Sequence, residues 1–328
     1  MKPAVRRALG WAVILAIAVA GVRTLLRFPW EETGSALLHT NVLLLTAALI
    51  VSFQSILVKG WAWQLLLRPV APVSWWGAQR ATLTGAAVTA LSTGVVGEAA
   101  RARSIVRQDG VPWNVAISSI VVLRLVEGIG FAIFLVVVPV FIDLPPALRI
   151  AQLVAAAIIA VGAMALLVRG WEHITSRLPP RLRRGVELLG TMGARHQLPG
   201  PVALGVANWV FQWTTYYLTI RATHITAPPE AALAALLVVN VAGLVAVTPG
   251  NIGVFQASVV AGLLPFGVPV QRAILAGLVL QAIQVLPVLA TATATVGLRG
   301  LRQLRRQEAA LATVADLSPD LPTTEGGT

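Results

Sequence analysis

Long apolar stretches alternate with short polar or basic connections along most of this 328-residue chain. An α-helix needs about 20 apolar residues to cross the hydrocarbon core of a bilayer. The stretches that predict spans begin near Leu9, Asn41, Trp113, Ile150, Pro201 and Ala273. They lack the short-range alternation of barrel strands. The pattern therefore predicts an all-α polytopic membrane protein with about six full spans.

Two further apolar segments are interrupted near their middle. No charged side chain occurs between Glu230 and Arg272, yet the run 248–253 (TPGNIG) lies at the centre of this segment. Segment 81–97 is shorter and is broken in the same way at 92–94 (STG). Proline and glycine disfavour helix interiors, and backbone groups freed at membrane depth must be buried in protein or face a water-filled cavity. We therefore predict two broken or re-entrant helical hairpins, which bring the total to eight or more membrane segments.

The two hairpins resemble each other in their glycine and polar positions. The matched positions are Gly94 with Gly250, Gly97 with Gly253, Arg124 with Gln281 and Glu127 with Gln284. The first repeat covers about residues 76–140 and the second about 231–298. Three predicted spans separate the hairpins, so they enter from opposite faces as an inverted repeat, an arrangement that many secondary transporters use. Residues 1–306 form a single transmembrane domain in this prediction, and the polar residues 307–328 form a disordered cytoplasmic tail.

The formal net charge is +12, with 57% hydrophobic and only 12% charged residues. A soluble domain carries about 25% charged residues, so the composition is that of a membrane protein. No basic stretch comes with a soluble nucleic-acid-binding fold, so the basic excess does not indicate nucleic-acid binding. Cytoplasmic loops collect Lys and Arg, and most of the 25 basic residues fall on one side of the predicted membrane. This asymmetry predicts a multi-pass protein of the cytoplasmic (inner) membrane with both termini in the cytoplasm. An uncleaved first helix is favoured over a signal peptide cleaved near Ala20.

The chain offers little for catalysis or for metal binding. It has no cysteine, and its four histidines lack ligand spacing, so we predict no metal and no cofactor. A lipid-modifying enzyme would need a nucleophile or base together with a metal or paired carboxylates. Only Glu98 and Glu127 qualify, so we predict no catalytic residue and no enzyme.

Arg124 and Glu127 lie three residues apart in an apolar span and therefore share one helix face. Each charge at membrane depth costs about 2.5–3.5 kcal/mol on the insertion scale, so such residues pair or face a polar cavity. One interpretation is an intrahelical ion pair that fixes packing. The other is a site that binds an anionic headgroup or relays a proton. Gln281 and Gln284 supply a neutral counterpart in the second repeat.

The segment after the first break has two features of a phosphate site. Gly94 and Gly97 lie at a helix start with exposed amides, and Arg101 carries a planar guanidinium that binds phosphate through two hydrogen bonds. Glu98 either neutralises Arg101 or takes part in proton coupling. Interfacial contact with anionic lipids is the alternative for this basic helix, and we favour that alternative only for Arg107.

The predicted substrate-binding set combines both breaks with the polar positions that follow them. It consists of Gly94, Gly97, Glu98, Arg101, Arg124, Glu127, Pro249, Gly250, Asn251, Gly253, Gln281 and Gln284. A separate stripe at helical spacing comprises Asn208, Trp209, Gln212, Trp213, Tyr216 and Tyr217. Packing or interfacial aromatic residues are the favoured explanation of this stripe, and a wall that contacts sugar or prenyl groups is the alternative.

Two motifs give the chain a resemblance to a known family. The run Leu91–Arg101 (LSTGVVGEAAR) resembles the first signature of the lysylphosphatidylglycerol synthase transmembrane-region family, also called flippase-like integral membrane proteins. The run Thr248–Ala257 (TPGNIGVFQA) resembles the second signature, Pro-Gly-Gly-x-Gly-x-x-Glu-Ala. Asn251 replaces a glycine of that signature, and Gln256 stands at its glutamate. The resemblance extends from about Asn41 to Leu298.

The resemblance implies translocation of a lipid with a charged or glycosylated phosphate headgroup across the cytoplasmic membrane. It does not imply lysine transfer, because the fused aminoacyl-transferase domain of some members has no counterpart after Leu298. If the second glutamate carries a proton in the family, Gln256 indicates different coupling or coupling through Glu98 alone. Two alternatives remain open: a membrane partner subunit of a glycosyltransferase or lipid-modifying enzyme, and a membrane-embedded lipid-modifying enzyme.

Overall fold

The computed structural model describes residues 39–92, 94–140, 197–243 and 248–316, together with isolated positions between 146 and 192. The predicted first helix, most of the span that begins at Ile150 and the basic loop that follows it lie outside the described residues. The four continuous ranges contain no strand and hold eight α-helices. These are α1 (Val42–Leu67), α2 (Trp75–Leu91), α3 (Gly94–Asp109), α4 (Trp113–Val137), α5 (Pro199–Ala222), α6 (Pro229–Gly243), α7 (Val254–Leu263) and α8 (Val270–Asp316).

The all-α architecture predicted from the apolar pattern is confirmed for these residues. Helices α1 and α4, and the part Val270–Thr293 of α8, are long and apolar enough to cross a membrane. Helix α5 has 24 residues but includes buried Asn208 and several threonines, which make it more polar than those three. Helices α6 and α7 are apolar but short. The predicted total of eight or more membrane segments stays a prediction.

The helix starts follow from local sequence. The side chain of Asn41 accepts a hydrogen bond from Leu44 N at 3.1 Å, and that of Ser74 accepts one from Gly77 N at 3.0 Å. Such caps satisfy amides that lack a partner in the first helical turn. Proline precedes the start of α4 and opens α5, positions where its missing N–H costs nothing.

The chain is broken where the pattern of proline and glycine predicts it. Helix α2 ends at Leu91 and α3 begins at Gly94, so the first break is only two residues long. The second break includes residues 248–253, which precede α7 and contain a 3-10 turn over Pro249–Asn251. Gly250, Asn251 and Gly253 all have positive φ there, a conformation that ends the helical path. Each pair of helices, α2–α3 and α6–α7, packs into a hairpin.

The two hairpins begin at opposite ends of the bundle. Asn41 N donates to Ala222 O at 3.0 Å, so the start of α1 and the end of α5 lie at the same end. The first hairpin follows the far end of α1, whereas the second follows the end of α5. A Cβ added at Gly77 would lie 2.4 Å from Asp109 Oδ1, so α3 finishes beside the start of α2. The breaks meet between these ends, where Gly250 N donates to Ser92 O at 2.8 Å.

Two apolar cores flank the meeting point of the breaks. One joins helices α1 to α4 and includes the fully buried Trp63 and Leu123. The other joins α4 to α8 and includes Phe134, Leu236 and Val259. Burial of such side chains contributes about 1.5–3 kcal/mol each in water, and in a bilayer close packing takes over much of that role. The polar groups described next lie between these cores.

Two helices extend beyond the boundaries that the apolar pattern predicts. Helix α1 continues past Val58 to Leu67, which places Lys59 inside the helix. Helix α8 is 47 residues long and ends at Asp316, so residues 307–316 are helical where the sequence predicts a disordered tail. Their sequence, QEAALATVAD, is rich in strong helix formers, which explains the extension. Residues 317–328 lie outside the described residues.

Candidate functional site

A cavity of about 530 Å³ lies where the two hairpins meet. All eight helices contribute to its lining, and so do Gly250 and Asn251 of the second break. The lining is strongly polar for the interior of an apolar helix bundle. It carries the charged residues Lys59, Glu98, Arg101 and Arg124 and the amides Asn208, Gln212, Asn240, Asn251, Gln281 and Gln284. Cavities of about 300–1,000 Å³ typically enclose small-molecule ligands.

Glu127 connects two cations beneath one wall of the cavity. Its Oε2 accepts from Arg124 Nη1 at 3.0 Å, and its Oε1 lies 2.8 Å from Lys59 Nζ. The side chain of Glu127 is 11% exposed, whereas that of Arg124 is 52% exposed. The predicted intrahelical pair is therefore formed, and the same arginine also faces the cavity. The ion-pair interpretation is thus confirmed, and binding of an anionic headgroup or relay of a proton stays a prediction.

Glu98 and Arg101 extend this cluster from the first break. Glu98 Oε1 accepts from Arg124 Nη2, and Glu98 Oε2 lies 3.8 Å from Arg101 Nη1. Arg101 is only 3% exposed; its Nη2 donates to Thr82 Oγ1 at 2.9 Å, and its guanidinium lies 4.0 Å from the centroid of the Trp63 ring. A stacked and hydrogen-bonded arginine of this kind is held rigidly. Arg101 thus anchors the cluster, and Arg124 presents the more accessible charge.

The side of the cavity formed by the second hairpin is held by amides. Gly253 N donates to Gln256 Oε1 at 2.7 Å, and Gln256 Nε2 donates to Gln281 Oε1. Gln281 Nε2 then donates to Gly250 O at 2.8 Å. These bonds satisfy backbone groups that the break releases from helical pairing. Two glutamines therefore close the second break against α8.

The aromatic and amide stripe of α5 divides into two faces. Asn208, Gln212 and Tyr216, each four residues apart, line the cavity. Trp209 packs against Phe131 with ring centroids 4.1 Å apart and donates to Glu127 O. Its neighbour Trp213, also off the cavity, donates to Pro229 O. The packing interpretation holds for the tryptophans, and the amides on the other face become candidates for ligand contact.

The structure brings most of the predicted set to one place. Eight members line the cavity: Gly94, Glu98, Arg101, Arg124, Gly250, Asn251, Gln281 and Gln284. Gly97 packs behind the first break, where an added Cβ would lie 1.8 Å from Thr89 Oγ1. Glu127 pairs with Lys59 and Arg124 of the lining, and Gly253 N donates to Gln256 Oε1. Pro249 forms the backbone of the 3-10 turn. These four support the cavity without lining it.

Sequence reasoning missed Lys59 and Asn240 as lining residues. The apolar stretch ends just before Lys59, so this lysine reads as a loop residue until the helix is seen to continue. Glu127 could have indicated Lys59. Its carboxylate has two oxygens but only one cation in its own span, so a second cation from another helix is expected. Asn240 lies inside the apolar segment 231–247, and the signal that could have found it is that it is the one amide there. No group of three potential metal ligands occurs among the described residues.

A scan against family models matches residues 8–292 to the lysylphosphatidylglycerol synthase TM region. The chain belongs to this family. The match includes both hairpins, every cavity-lining residue and the two signature runs, so the resemblance seen in the motifs is confirmed. No curated protein matches the chain. Membership in the lysylphosphatidylglycerol synthase TM family, together with the apolar helices, identifies a multi-pass membrane protein with a lipid-related function.

The structure also explains how the chain accommodates its departures from the second family signature. Asn251 occupies the left-handed region with φ of 55°, which asparagine tolerates better than most other residues. Gln256 uses both ends of its carboxamide, accepting from Gly253 N and donating to Gln281 Oε1. A carboxylate at this position could accept but not donate. The chain therefore has a neutral connector at the position where the resemblance implies a glutamate.

Proposed function

We propose that this protein is a flippase-like translocase that moves a lipid with an anionic phosphate headgroup across the cytoplasmic membrane. The lipid is a phospholipid or a polyprenyl-phosphate-linked sugar, and it is moved without covalent change. The observation that carries the proposal is a half-exposed arginine, Arg124, facing a cavity where two broken helices meet. The headgroup occupies the cavity while the acyl or prenyl chain stays in the bilayer.

The electrostatics of the cavity favour an anion. Among the described charged residues that line it, Lys59, Arg101 and Arg124 are cations, and Glu98 is the one carboxylate. Including Glu127 beneath the wall, the cluster still has three cations against two carboxylates. Charges interact more strongly in a bundle interior than in water. Attraction to the cations therefore compensates a bound phosphate for its lost hydration. Arg124 offers the guanidinium edge that phosphate needs.

The arrangement of the hairpins supports an inverted repeat of re-entrant segments. The hairpins start at opposite ends of the bundle and meet at their breaks, as described above. Helix α7 has ten residues and is therefore about 15 Å long, half of the hydrocarbon thickness of about 30 Å. Helices that are broken inside the membrane are typical of secondary transporters. In this proposal the two repeats alternately open the cavity to each leaflet.

The proposed orientation places both termini in the cytoplasm and can be tested because the chain has no cysteine. Single substitutions Arg68→Cys and Arg107→Cys should be labelled by a membrane-impermeant maleimide only from the cytoplasmic face. Arg221→Cys and Arg272→Cys should be labelled only from the opposite face. Labelling of all four from one face would contradict both the orientation and the inverted repeat.

Lipid scrambling in proteoliposomes tests the translocase itself. The assay compares the wild type with Arg124→Gln and Glu98→Gln, using a fluorescent phospholipid and a short polyprenyl-phosphate sugar. Arg103→Gln is the matched control, because this arginine is exposed on the same helix as Glu98 and does not line the cavity. Arg124→Gln should slow movement about tenfold, a loss of about 1.4 kcal/mol in binding. Arg103→Gln should move lipid at the wild-type rate.

Protein abundance and insertion are measured alongside transport. If Arg124→Gln loses transport only in proportion to correctly inserted protein, its ion pairs serve packing and the proposal fails. If correctly inserted wild type moves no anionic lipid, with or without a pH gradient, the partner-subunit alternative replaces it. Co-purification with a glycosyltransferase or lipid-modifying enzyme then becomes the next measurement.

A further inference from the structure

The cavity has two chemically different walls. The cationic wall consists of Lys59, Arg101 and Arg124, which belong to α1, α3 and α4. The amide wall consists of Asn208, Gln212, Asn240, Asn251, Gln281 and Gln284, which belong to α5, α6, the second break and α8. Charge thus comes from α1, α3 and α4, and uncharged groups that both donate and accept hydrogen bonds come from the other elements. The two sets adjoin at Asn208, whose Oδ1 accepts from Ser55 Oγ of α1. A ligand that fills the cavity meets both walls at once.

Part of the amide wall is already committed to holding the fold. Gln281 accepts from Gln256 and donates to Gly250 O, so both ends of its carboxamide are used. Gln284 interacts with the Tyr216 hydroxyl. These bonds hold α8 against the second break and against α5. Gln281 has neither end free for a ligand, and Gln284 uses one group.

Other members of the amide wall retain hydrogen-bonding capacity. Gln212 makes no side-chain hydrogen bond to the described part of the chain. Asn240 Nδ2 donates to Leu236 O at 2.8 Å, which leaves its Oδ1 as an acceptor. Asn208 Oδ1 accepts from Ser55 Oγ at 2.7 Å, which leaves its Nδ2 as a donor. Carboxamides inside an apolar bundle are costly unless a partner satisfies them. A ligand with both hydrogen-bond donors and acceptors would therefore satisfy these three side chains on α5 and α6.

Charge determines which partner fits. An amine-bearing headgroup would bring a further cation into a cavity whose lining already has three cations and one carboxylate. Repulsion at this range is substantial in a partly desolvated site. A phosphate alone satisfies the cationic wall but leaves the amide wall and most of the 530 Å³ unfilled. An uncharged group that is rich in hydroxyls supplies the donors and acceptors that the free amides lack.

We infer that the cavity recognises a phosphate that carries an uncharged, hydroxyl-rich group, a sugar in particular, and disfavours amine-bearing headgroups. The phosphate binds at Arg124, and the sugar hydroxyls bind Gln212, Asn240 and Asn208. This inference rests on the proposed function for the phosphate at the cationic wall and deepens it by naming the substrate class. Gln212 and Asn240 become the residues that determine specificity.

Binding to purified protein in detergent tests the inference without relying on transport. The probes are glucose 1-phosphate, inorganic phosphate, glucose and glycerophosphoethanolamine, and the readout is the ligand-induced rise in the unfolding midpoint. Glucose 1-phosphate should bind about tenfold tighter than inorganic phosphate, the ratio that two net hydrogen bonds provide. Glycerophosphoethanolamine should bind more weakly than glucose 1-phosphate. Equal binding of glucose 1-phosphate and inorganic phosphate, or tighter binding of the amine, would overturn the inference.

Three variants separate the two walls. Gln212→Leu and Asn240→Leu should remove the advantage of glucose 1-phosphate and leave the affinity for inorganic phosphate unchanged. Arg124→Gln should weaken both ligands by a similar factor. If the leucine variants keep the full advantage of the sugar phosphate, the amide wall is not the recognition surface. Arg103→Gln again serves as the control, since its side chain is exposed outside the cavity.

Vesicle assays distinguish a lipid headgroup from a free sugar phosphate. Scrambling is measured for a short polyprenyl phosphate with one hexose, the same polyprenyl phosphate without sugar, and lysyl-phosphatidylglycerol. Entry of soluble glucose 1-phosphate is measured in parallel. The hexose lipid should move fastest, and soluble glucose 1-phosphate should not enter. Sugar-dependent binding without lipid movement would uphold the inference and defeat the translocase proposal. Faster movement of lysyl-phosphatidylglycerol would defeat the inference and uphold the translocase.

Discussion

The first hairpin, α2–α3, and the second, α6–α7, share one feature of their backbones, a close approach of the two helices. In each, a glycine brings the two helices into close contact. A Cβ added at Gly97 would lie 2.7 Å from Gly85 O, and one added at Gly262 would lie 2.4 Å from the Cα of Ala235. Small residues permit this approach in membrane helices. The comparison shows that close backbone packing is what the two hairpins share.

Side-chain chemistry is where the hairpins differ. The first carries Glu98 and Arg101 just after its break, and ion pairs connect it to Arg124 on α4. The second carries Gln256, and neutral hydrogen bonds connect it to Gln281 on α8. Ion pairs bind and orient a charged group, whereas amide pairs close a break without attracting an ion. Under the proposed function, phosphate would therefore bind at the charged cluster formed by the first hairpin with Arg124 of α4, and the second hairpin would offer neutral contacts.

The largest expected effect comes from Glu127→Gln, which leaves Lys59 and Arg124 without their shared carboxylate. Removing one partner of a buried ion pair costs about 3–5 kcal/mol, and we expect about 3 kcal/mol of lost stability because Glu98 still contacts Arg124. Thermal unfolding in detergent, followed by the fluorescence of the protein's 10 tryptophans, measures the change. Gln284→Leu, at the position that the predicted repeat matches with Glu127, should cost about 1 kcal/mol. Equal losses would contradict the difference between the ion pairs that hold the first hairpin to α4 and the neutral hydrogen bonds that hold the second hairpin to α8.

Gly97→Ala should be the next most severe change. The new methyl group meets Thr89 Oγ1 and the carbonyl of Gly85, so the first hairpin must open. Overpacking of this kind costs about 1–3 kcal/mol. Gly94→Ala is the control, because a Cβ at Gly94 meets nothing within 4 Å. The readout is the unfolding midpoint, and a midpoint for Gly97→Ala as high as that for Gly94→Ala would refute the packing argument.

Gly250→Ala tests the contact between the two breaks. An alanine Cβ here would lie 2.6 Å from Ala90 O, and the residue has a positive φ of 61°. The φ strain alone costs about 1–2 kcal/mol. Gly267→Ala is a matched control with φ of 74° and no neighbour within 4 Å. Lipid scrambling should fall for Gly250→Ala, alone or combined with Pro249→Ala, and stay near the wild-type rate for Gly267→Ala. Equal scrambling by both glycine variants would show that transport does not depend on the contact between the two breaks.

Gln256→Glu should be the least destabilising of these substitutions. Its effect on the unfolding midpoint should be smaller at low pH than at high pH. The carboxylate loses the donor that contacts Gln281 Oε1, a loss of about 1 kcal/mol. Protonation at low pH restores a donor, so the deficit in unfolding midpoint should shrink as the pH falls. The difference between variant and wild type is followed across the pH range. A constant difference would show that the Gln256–Gln281 hydrogen bond does not hold the second break.

Several parts of the site are predictable because they depend on local sequence. Clustered glycine, proline and small polar residues disfavour helix, so both breaks are predicted near their observed places, whereas the isolated Pro287 lies inside α8. Arg124 and Glu127 form their pair because a spacing of three residues places them on one helix face. Lys59 could not be assigned in this way. Its role depends on how far α1 continues and on which helix it meets, and neither is a local property.

The sequence by itself determined the helical class, the positions of the breaks and the family of this chain, since hydropathy, helix disruption and signature motifs are read along the chain. Only the tertiary structure decided that Arg101 is buried against Trp63 while Arg124 faces the cavity. It also placed Gln212 on the cavity and the tryptophans of the same stripe in the core. The physical reason is that helix packing sets the burial of each side chain and its partners, and packing depends on residues far apart in the chain.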